Sequence, residues 1–391
     1  MSVLEPDAKK PGKSRAVRVI GIVLFVVIYI VMLVAGGELR RAALVGIEVF
    51  PFAILAILAY AATSSGKKAL AIVYWSLLIG GVGLMAILMT FAADLPKLQS
   101  LSPSGTGDGH PAMPPEILFP VLLRAALAAG GAFIAVVIGS ACFFPSVRIR
   151  AARLLNIDAQ SFVHTTAVAT AVASTLILLV PLIIVHEPPL LIFIRTANLS
   201  KMDLGMDLRS MIYVLIWIVP ASFAAVGFPQ IRTLEEARQR LGLMWPGRRQ
   251  ILGAALVLPV LLAFSYLMDH GISGLWHWLK WPETDSDSVE LLFGFASRPA
   301  GALIASVTAG FGEEIVFRGV LQPSLGIILP ALMFASLHAW QYNFDALLQV
   351  LCLGLIFGVI RKYSNTTICA LVHGSFDFVL FMIAYLSGHG H

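Results

Sequence analysis

The stretch FGEEIVFRG, Phe311 to Gly319, puts Glu313, Glu314 and Arg318 inside a strongly apolar region that begins near Ala300. An ionisable side chain at the centre of a membrane span costs about 2.5–3.5 kcal/mol on insertion scales, so it faces a protected interior and has a role there. Glu314 and Arg318 are four residues apart and share a helix face, which allows them to pair. Glu313 lies about 100° further round the helix and has Phe317, an apolar residue, at the corresponding position. The stretch therefore reads as a membrane helix carrying one carboxylate held by an arginine and a second left free.

Composition sets the same frame. The 391 residues are 58% hydrophobic and 13% charged, against about a quarter charged in soluble domains. Apolar runs near residues 17–36, 47–63, 69–93, 117–144, 162–186, 211–228, 250–268, 300–318, 326–340, 345–361 and 366–387 predict an all-α, polytopic transmembrane helical bundle of about eleven spans. The net charge of +5 reflects loop topology, and no stripe of basic and aromatic residues points to nucleic acid. Cys142, Cys352 and Cys369 all lie in apolar runs, which fits core packing better than a disulfide framework.

Lys9, Lys10, Lys13, Arg15 and Arg18 precede the first run, which is longer than a signal-peptide core and reads as a retained signal anchor. Basic residues recur at Lys67 and Lys68, at Arg148, Arg150 and Arg153, in the 232–249 segment, and at Arg361 and Lys362. The positive-inside rule then places the N-terminus in the cytoplasm, with the plasma membrane as the expected location, although Arg40 and Arg41 break the pattern. Two exterior loops are expected, 94–116 and 269–299. The second holds Trp276, Trp278 and Trp281, an interfacial belt by this reading, beside the acidic WPETDSDSVE.

The segment RTLEEARQRLGLMWPGRRQ, 232–250, is amphipathic and reads as a helix lying on the membrane surface. It marks a boundary between residues 1–231, about six spans with few polar residues and an accessory role, and residues 232–391, which hold every chemically suggestive group. A chain begun near Leu234 is expected to keep the site.

Two further elements accompany Glu313 and Glu314. MFASLHAW sets Phe334 and His338 four apart on one span, and LVHGSFDF sets His373 and Asp377 four apart on the last. Singly, each has a bland reading: a structural ion pair, an interfacial histidine, a polar pair that packs helices. Together they predict a polar cavity within the bilayer, nearer the end where Arg318 and the Arg361–Lys362 loop lie. Peptide hydrolysis needs a base for water and donors for the oxyanion, and these residue types supply both.

The ordered set Glu313-Glu314-xxx-Arg318, Phe334-xxx-His338 and His373-xxx-Asp377 resembles the CPBP family, the CAAX proteases and bacteriocin-processing enzymes also called Abi proteins. The resemblance covers residues 235–387 and rests on the whole set. It implies an intramembrane endopeptidase acting on a peptide or protein substrate at the bilayer. Glu313 and His338 would activate water, His373 and Asp377 would form the oxyanion site, and Glu314, Arg318 and Phe334 would position them. Many members carry Asn where this chain has Asp377. An ionised Asp cannot donate a hydrogen bond, so Asp377 is protonated, orients His373, or helps bind a cation.

Glu313, His338 and His373 are also acceptable zinc ligands, and a catalytic zinc site wants three protein ligands with one open position. The sequence lacks HExxH, and glutamate-based hydrolysis without a cofactor is the favoured expectation. A non-enzymatic transporter or scaffold is the alternative from another class. It requires no convergence of Glu313, His338 and His373, whereas a protease places them round one cavity.

Overall fold

A computed structural model describes residues 15–95, 98, 115–196 and 208–387. Lys9, Lys10 and Lys13, and the Gly/Pro/Ser-rich residues 101–114, lie outside the described residues. All regular structure among the described residues is helical. Among the described residues, nine helices are long and apolar enough to cross a membrane, and two shorter apolar helices, Leu24–Ala35 and Ile328–Trp340, accompany them. The chain is an all-α integral membrane protein, and the expected spans each have a counterpart.

The N-terminal part comprises α1 (Arg15–Ala35), α2 (Gly37–Ser65), α3 (Lys68–Ala92), α4 (Pro115–Ser140), the short α5 (Pro145–Ala151), α6 (Phe162–Val185), the short α7 (Pro189–Thr196) and α8 (Leu208–Ala225). Helix α2 starts ten residues before the apolar run, with Glu38 in its first turn, where a negative charge suits the helix dipole. It stops at Gly66, whose φ of 72° provides the left-handed cap. Helix α6 is the most enclosed span. Its Val168, Ala169, Ala173 and Ile177 pack with Trp75 and Ile79 of α3 and Ala135 of α4. Small residues at that contact let the backbones approach closely, the usual basis of helix association in lipid.

The C-terminal part comprises α9 (Leu234–Leu241), α10 (Arg248–Leu279), α11 (Ser286–Leu292), α12 (Pro299–Glu314) continued by a π-helical stretch (Ile315–Leu321), α13 (Gln322–Leu325), α14 (Ile328–Leu337), α15 (Phe344–Tyr363) and α16 (Thr366–Leu386). A capping box of Thr233 and Glu236 starts α9. The helix does not merely rest on a surface. Leu241 is fully buried, Arg240 donates to the Gly319 carbonyl at 2.9 Å, and Thr366 Oγ1 donates to the Leu241 carbonyl at 2.6 Å.

The proposed boundary at 232 is bridged by packing. Leu325 belongs to the same core as Trp75 and Ile177, and Leu182 packs with Ala339 and Leu347. Trp340 Nε1 donates to the Leu178 carbonyl at 3.1 Å. Val226 shares a core with Leu241 and Ile315.

The 269–299 segment differs from the expected loop. Helix α10 runs on to Leu279, because no proline intervenes between Met268 and Pro282. Trp276 is buried and meets Trp281 edge-on at 5.2 Å, while Trp278 is exposed. Thr284 is tied to the first turn of α15: its backbone N–H and Oγ1 donate to Asp345 at 2.9 and 2.6 Å. That anchor sets α11 against the bundle, with Leu292 packed on Leu191 of α7.

Candidate active site

The site exists because α12 and α16 touch backbone to backbone. A Cβ on Gly310 would fall 2.6 Å from the Gly374 nitrogen and 2.8 Å from the Ala370 carbonyl oxygen, and one on Gly374 would fall 2.9 Å from the Ser306 oxygen. Only glycine permits that approach. One turn beyond Gly310 come Glu313 and Glu314, and directly before Gly374 comes His373. The crossing therefore delivers the carboxylates of one helix to the imidazole of the other. A similar approach sets Phe334 of α14 against Gly354 of α15, where a Cβ would lie 3.2 Å from the Phe334 ring.

Glu314 is the buried hub. Its Oε2 lies 3.2 Å from Arg318 Nε and accepts from Cys369 Sγ at 2.9 Å. Its Oε1 lies 2.9 Å from His373 Nδ1. A buried charge persists only when paired and hydrogen-bonded, and these three contacts meet that need. Arg318 is equally buried. Its Nη2 donates to the Gly354 carbonyl at 2.9 Å, and its guanidinium lies 5.1 Å from the Phe334 ring and 5.8 Å from those of Phe317 and Phe357, within cation–π range. It sits in the π-helical stretch, a local widening frequent at functional sites.

A carboxylate paired with arginine acts as acceptor, so His373 Nδ1 carries the proton of that bond. The His373 ring stacks on Phe357 at 4.5 Å and 24°. Its Nε2 lies 3.4 Å from Asp377 Oδ2 and 3.9 Å from Glu313 Oε2. Asp377 thus stands directly beside the His373 ring. Glu313, unlike Glu314, keeps a third of its side chain accessible. His338 ends α14, and its Nδ1 lies 2.9 Å from the Phe334 carbonyl oxygen. A carbonyl only accepts, so Nδ1 holds the proton and Nε2 keeps its lone pair.

Glu313, His338, His373 and Asp377, with Phe334 and Phe357, line one cavity of about 1080 Å³. The sequence expectation put this cavity nearer the Arg361–Lys362 loop. The lining instead runs from Glu313 past Phe293 and Phe381 to Ser286, Asp287, Glu290 and Tyr385, at the opposite ends of the spans. Helix α11 makes the difference: it forms the cavity wall at that end, and Asp287 and Glu290 are exposed there.

Three contributors were not singled out from sequence. Cys369 bonds the hub carboxylate, Phe357 carries the His373 ring, and Tyr342 stacks on His338 with ring centroids 5.8 Å apart and planes parallel within 1°. The i, i+4 spacings of Cys369 to His373 and of His338 to Tyr342 were the available signals. Among the described residues no group of three or more His, Cys, Asp or Glu is gathered closely enough to hold a metal ion. Glu313, His338 and His373 share one cavity.

Residues 295–379 match the family model described as type II CAAX prenyl endopeptidase, Rce1-like. The matched span begins at the foot of α12 and ends within α16, so it contains Glu313, Glu314, Arg318, Phe334, His338, His373 and Asp377. No curated protein and no solved structure matches the chain.

Proposed function

We propose that this chain, a member of the CPBP family through the Rce1-like domain at residues 295–379, is an intramembrane endopeptidase. The observation that carries this reading is the division of labour between two adjacent carboxylates. Glu314 is sequestered by Arg318, Cys369 and His373, while Glu313 faces the cavity with His338, His373 and Asp377.

Water held between Glu313 and His338 Nε2 gives a proton to the Glu313 carboxylate as its oxygen bonds to the substrate carbonyl carbon, and the carbonyl electron pair moves to oxygen. His373, aligned by Glu314 and Asp377, donates from Nε2 to that oxyanion. Collapse restores the carbonyl, breaks the C–N bond and sends the proton from Glu313 to the leaving amine. No step needs a metal ion. The apolar cavity wall admits a peptide with apolar or lipid-modified residues, and the family name points to a prenylated C-terminal CAAX sequence.

The basic loops support a cytoplasmic N-terminus and a plasma-membrane location, and the first 231 residues serve this domain as a supporting scaffold. The test compares the membrane peptidome of cells expressing the wild-type chain with that of cells expressing Glu313→Ala at equal abundance. Fragments produced by wild type and lost in the variant are expected. Identical peptidomes would remove the endopeptidase reading.

A further inference from the structure

The oxyanion site described so far has one donor, His373 Nε2. With Nδ1–H committed to Glu314, Nε2 donates only when the ring carries two protons, and it shares that proton with Asp377 at 3.4 Å. Peptidase oxyanion holes commonly offer more than one fixed donor. The cavity contains another. Tyr342 lies in the turn that follows His338, and its side chain lines the same cavity.

The Tyr342 ring is clamped. His338 stacks on it at 5.8 Å and Phe293 at 6.5 Å with 22° between planes. Its backbone N–H donates to the His338 carbonyl at 2.9 Å. The adjoining Asn343 N–H donates to Thr284 Oγ1 at 2.9 Å, and two residues before, Trp340 is tied to α6. The ring thus has no freedom to leave the cavity, yet its hydroxyl bonds to no described residue. Tyr342 is half-buried and lines the cavity, so its hydroxyl is left for something that enters. Burial and the nearby Asp377 and Glu313 carboxylates push its pKa above the ordinary tyrosine value, so the hydroxyl keeps its proton and is a standing donor whatever the charge on His373.

We propose that Tyr342 is a catalytic residue of this site, its hydroxyl donating a hydrogen bond to the oxyanion that forms on the substrate carbonyl. This rests on the endopeptidase reading and adds to it. No proton leaves the phenol; the hydrogen bond strengthens as the carbonyl oxygen gains charge and weakens as the carbonyl re-forms. The proton relayed from water to the leaving amine travels through Glu313 alone.

The test uses the full chain in proteoliposomes, with a fluorogenic peptide ending in a farnesylated CAAX sequence as the probe. Wild type, Tyr342→Phe and Glu313→Gln are compared. Phe keeps both ring stacks and removes only the donor. Loss of one oxyanion donor lowers kcat by about 10²–10³-fold, and KM is expected to change little. A phosphonamidate analogue of the same peptide, which mimics the tetrahedral intermediate, is expected to bind Tyr342→Phe more weakly by the same factor. Wild-type kcat in Tyr342→Phe, or a rise in KM alone, would overturn the role of Tyr342 while leaving the endopeptidase reading intact if Glu313→Gln is inactive. A folded wild-type chain that leaves the probe uncut would overturn both.

Discussion

Gly310→Ala perturbs the site without touching any of its polar groups. The added Cβ would sit 2.6 Å from the Gly374 nitrogen, so α12 and α16 must part by about 0.8 Å to reach ordinary contact near 3.4 Å. The His373 Nδ1 to Glu314 Oε1 contact, now 2.9 Å, lies on the same crossing and would stretch beyond hydrogen-bond range. Overpacking costs about 1–3 kcal/mol, and the better helix propensity of alanine returns about 1 kcal/mol. Net stability should therefore fall by no more than about 2 kcal/mol, whereas a misplacement near 1 Å costs on the order of 10²-fold in rate. Gly312→Ala is the matched control on the same helix, since its Cβ would meet only Ile218 at 3.7 Å and Leu215 at 4.0 Å. Turnover of the farnesylated CAAX peptide and thermal unfolding in detergent are measured for both. Gly310→Ala should lose much of its kcat and keep most of its stability, and Gly312→Ala should behave near-normally. Equal turnover in the two variants would refute the claim that the glycine crossing sets the catalytic geometry.

Three further outcomes follow from the same contacts. Arg318→Ala leaves the buried Glu314 without its cation and should cost about 3–5 kcal/mol, seen as lower abundance and a lower unfolding temperature; normal values would assign the arginine another role. Asp377→Asn retains an acceptor for His373 Nε2 and adds a fixed donor, so turnover should stay within about tenfold of wild type, and a collapse of kcat would show that the negative charge is required. A chain begun at Leu234 loses the α6 groups that hold Trp340, Ala339 and Leu347 and the cavity-lining Met211 of α8; it is expected to purify as aggregated or inactive protein, and full turnover by a monodisperse fragment would contradict that.

The membrane class and the helix order were legible because about twenty apolar residues are needed to cross a bilayer and little else looks the same. The pairing of Glu314 with Arg318 was legible because i, i+4 geometry is local. What sequence could not carry was any contact between helices. Cys369 looks like one more small apolar residue until α16 is laid on α12 and its thiol meets Glu314. Gly310 and Gly374 read as indifferent positions until their backbones touch. Tyr342 follows a helix end, where an aromatic residue ordinarily marks the membrane interface, so the sequence alone carries no sign of its place in the cavity. The acidic 281–290 segment reads as solvated loop, and its return to the bundle depends on Thr284 finding Asp345, 61 residues away. That one anchor also explains why the cavity extends toward α11 and not toward the Arg361–Lys362 loop.

Glu313 as the base, with no metal in the reaction, is what the mechanism stands on. Its most direct test is the turnover of purified, chelator-treated full chain on the farnesylated CAAX peptide, wild type beside Glu313→Gln. Glutamine keeps the size and hydrogen bonding of the side chain but cannot take a proton. The chelated wild type should remain active, and folded Glu313→Gln should lose at least about 10²–10⁴-fold in kcat, the contribution of a general base. Activity lost on chelation and restored by zinc, or a Glu313→Gln variant that turns over like wild type, would contradict it.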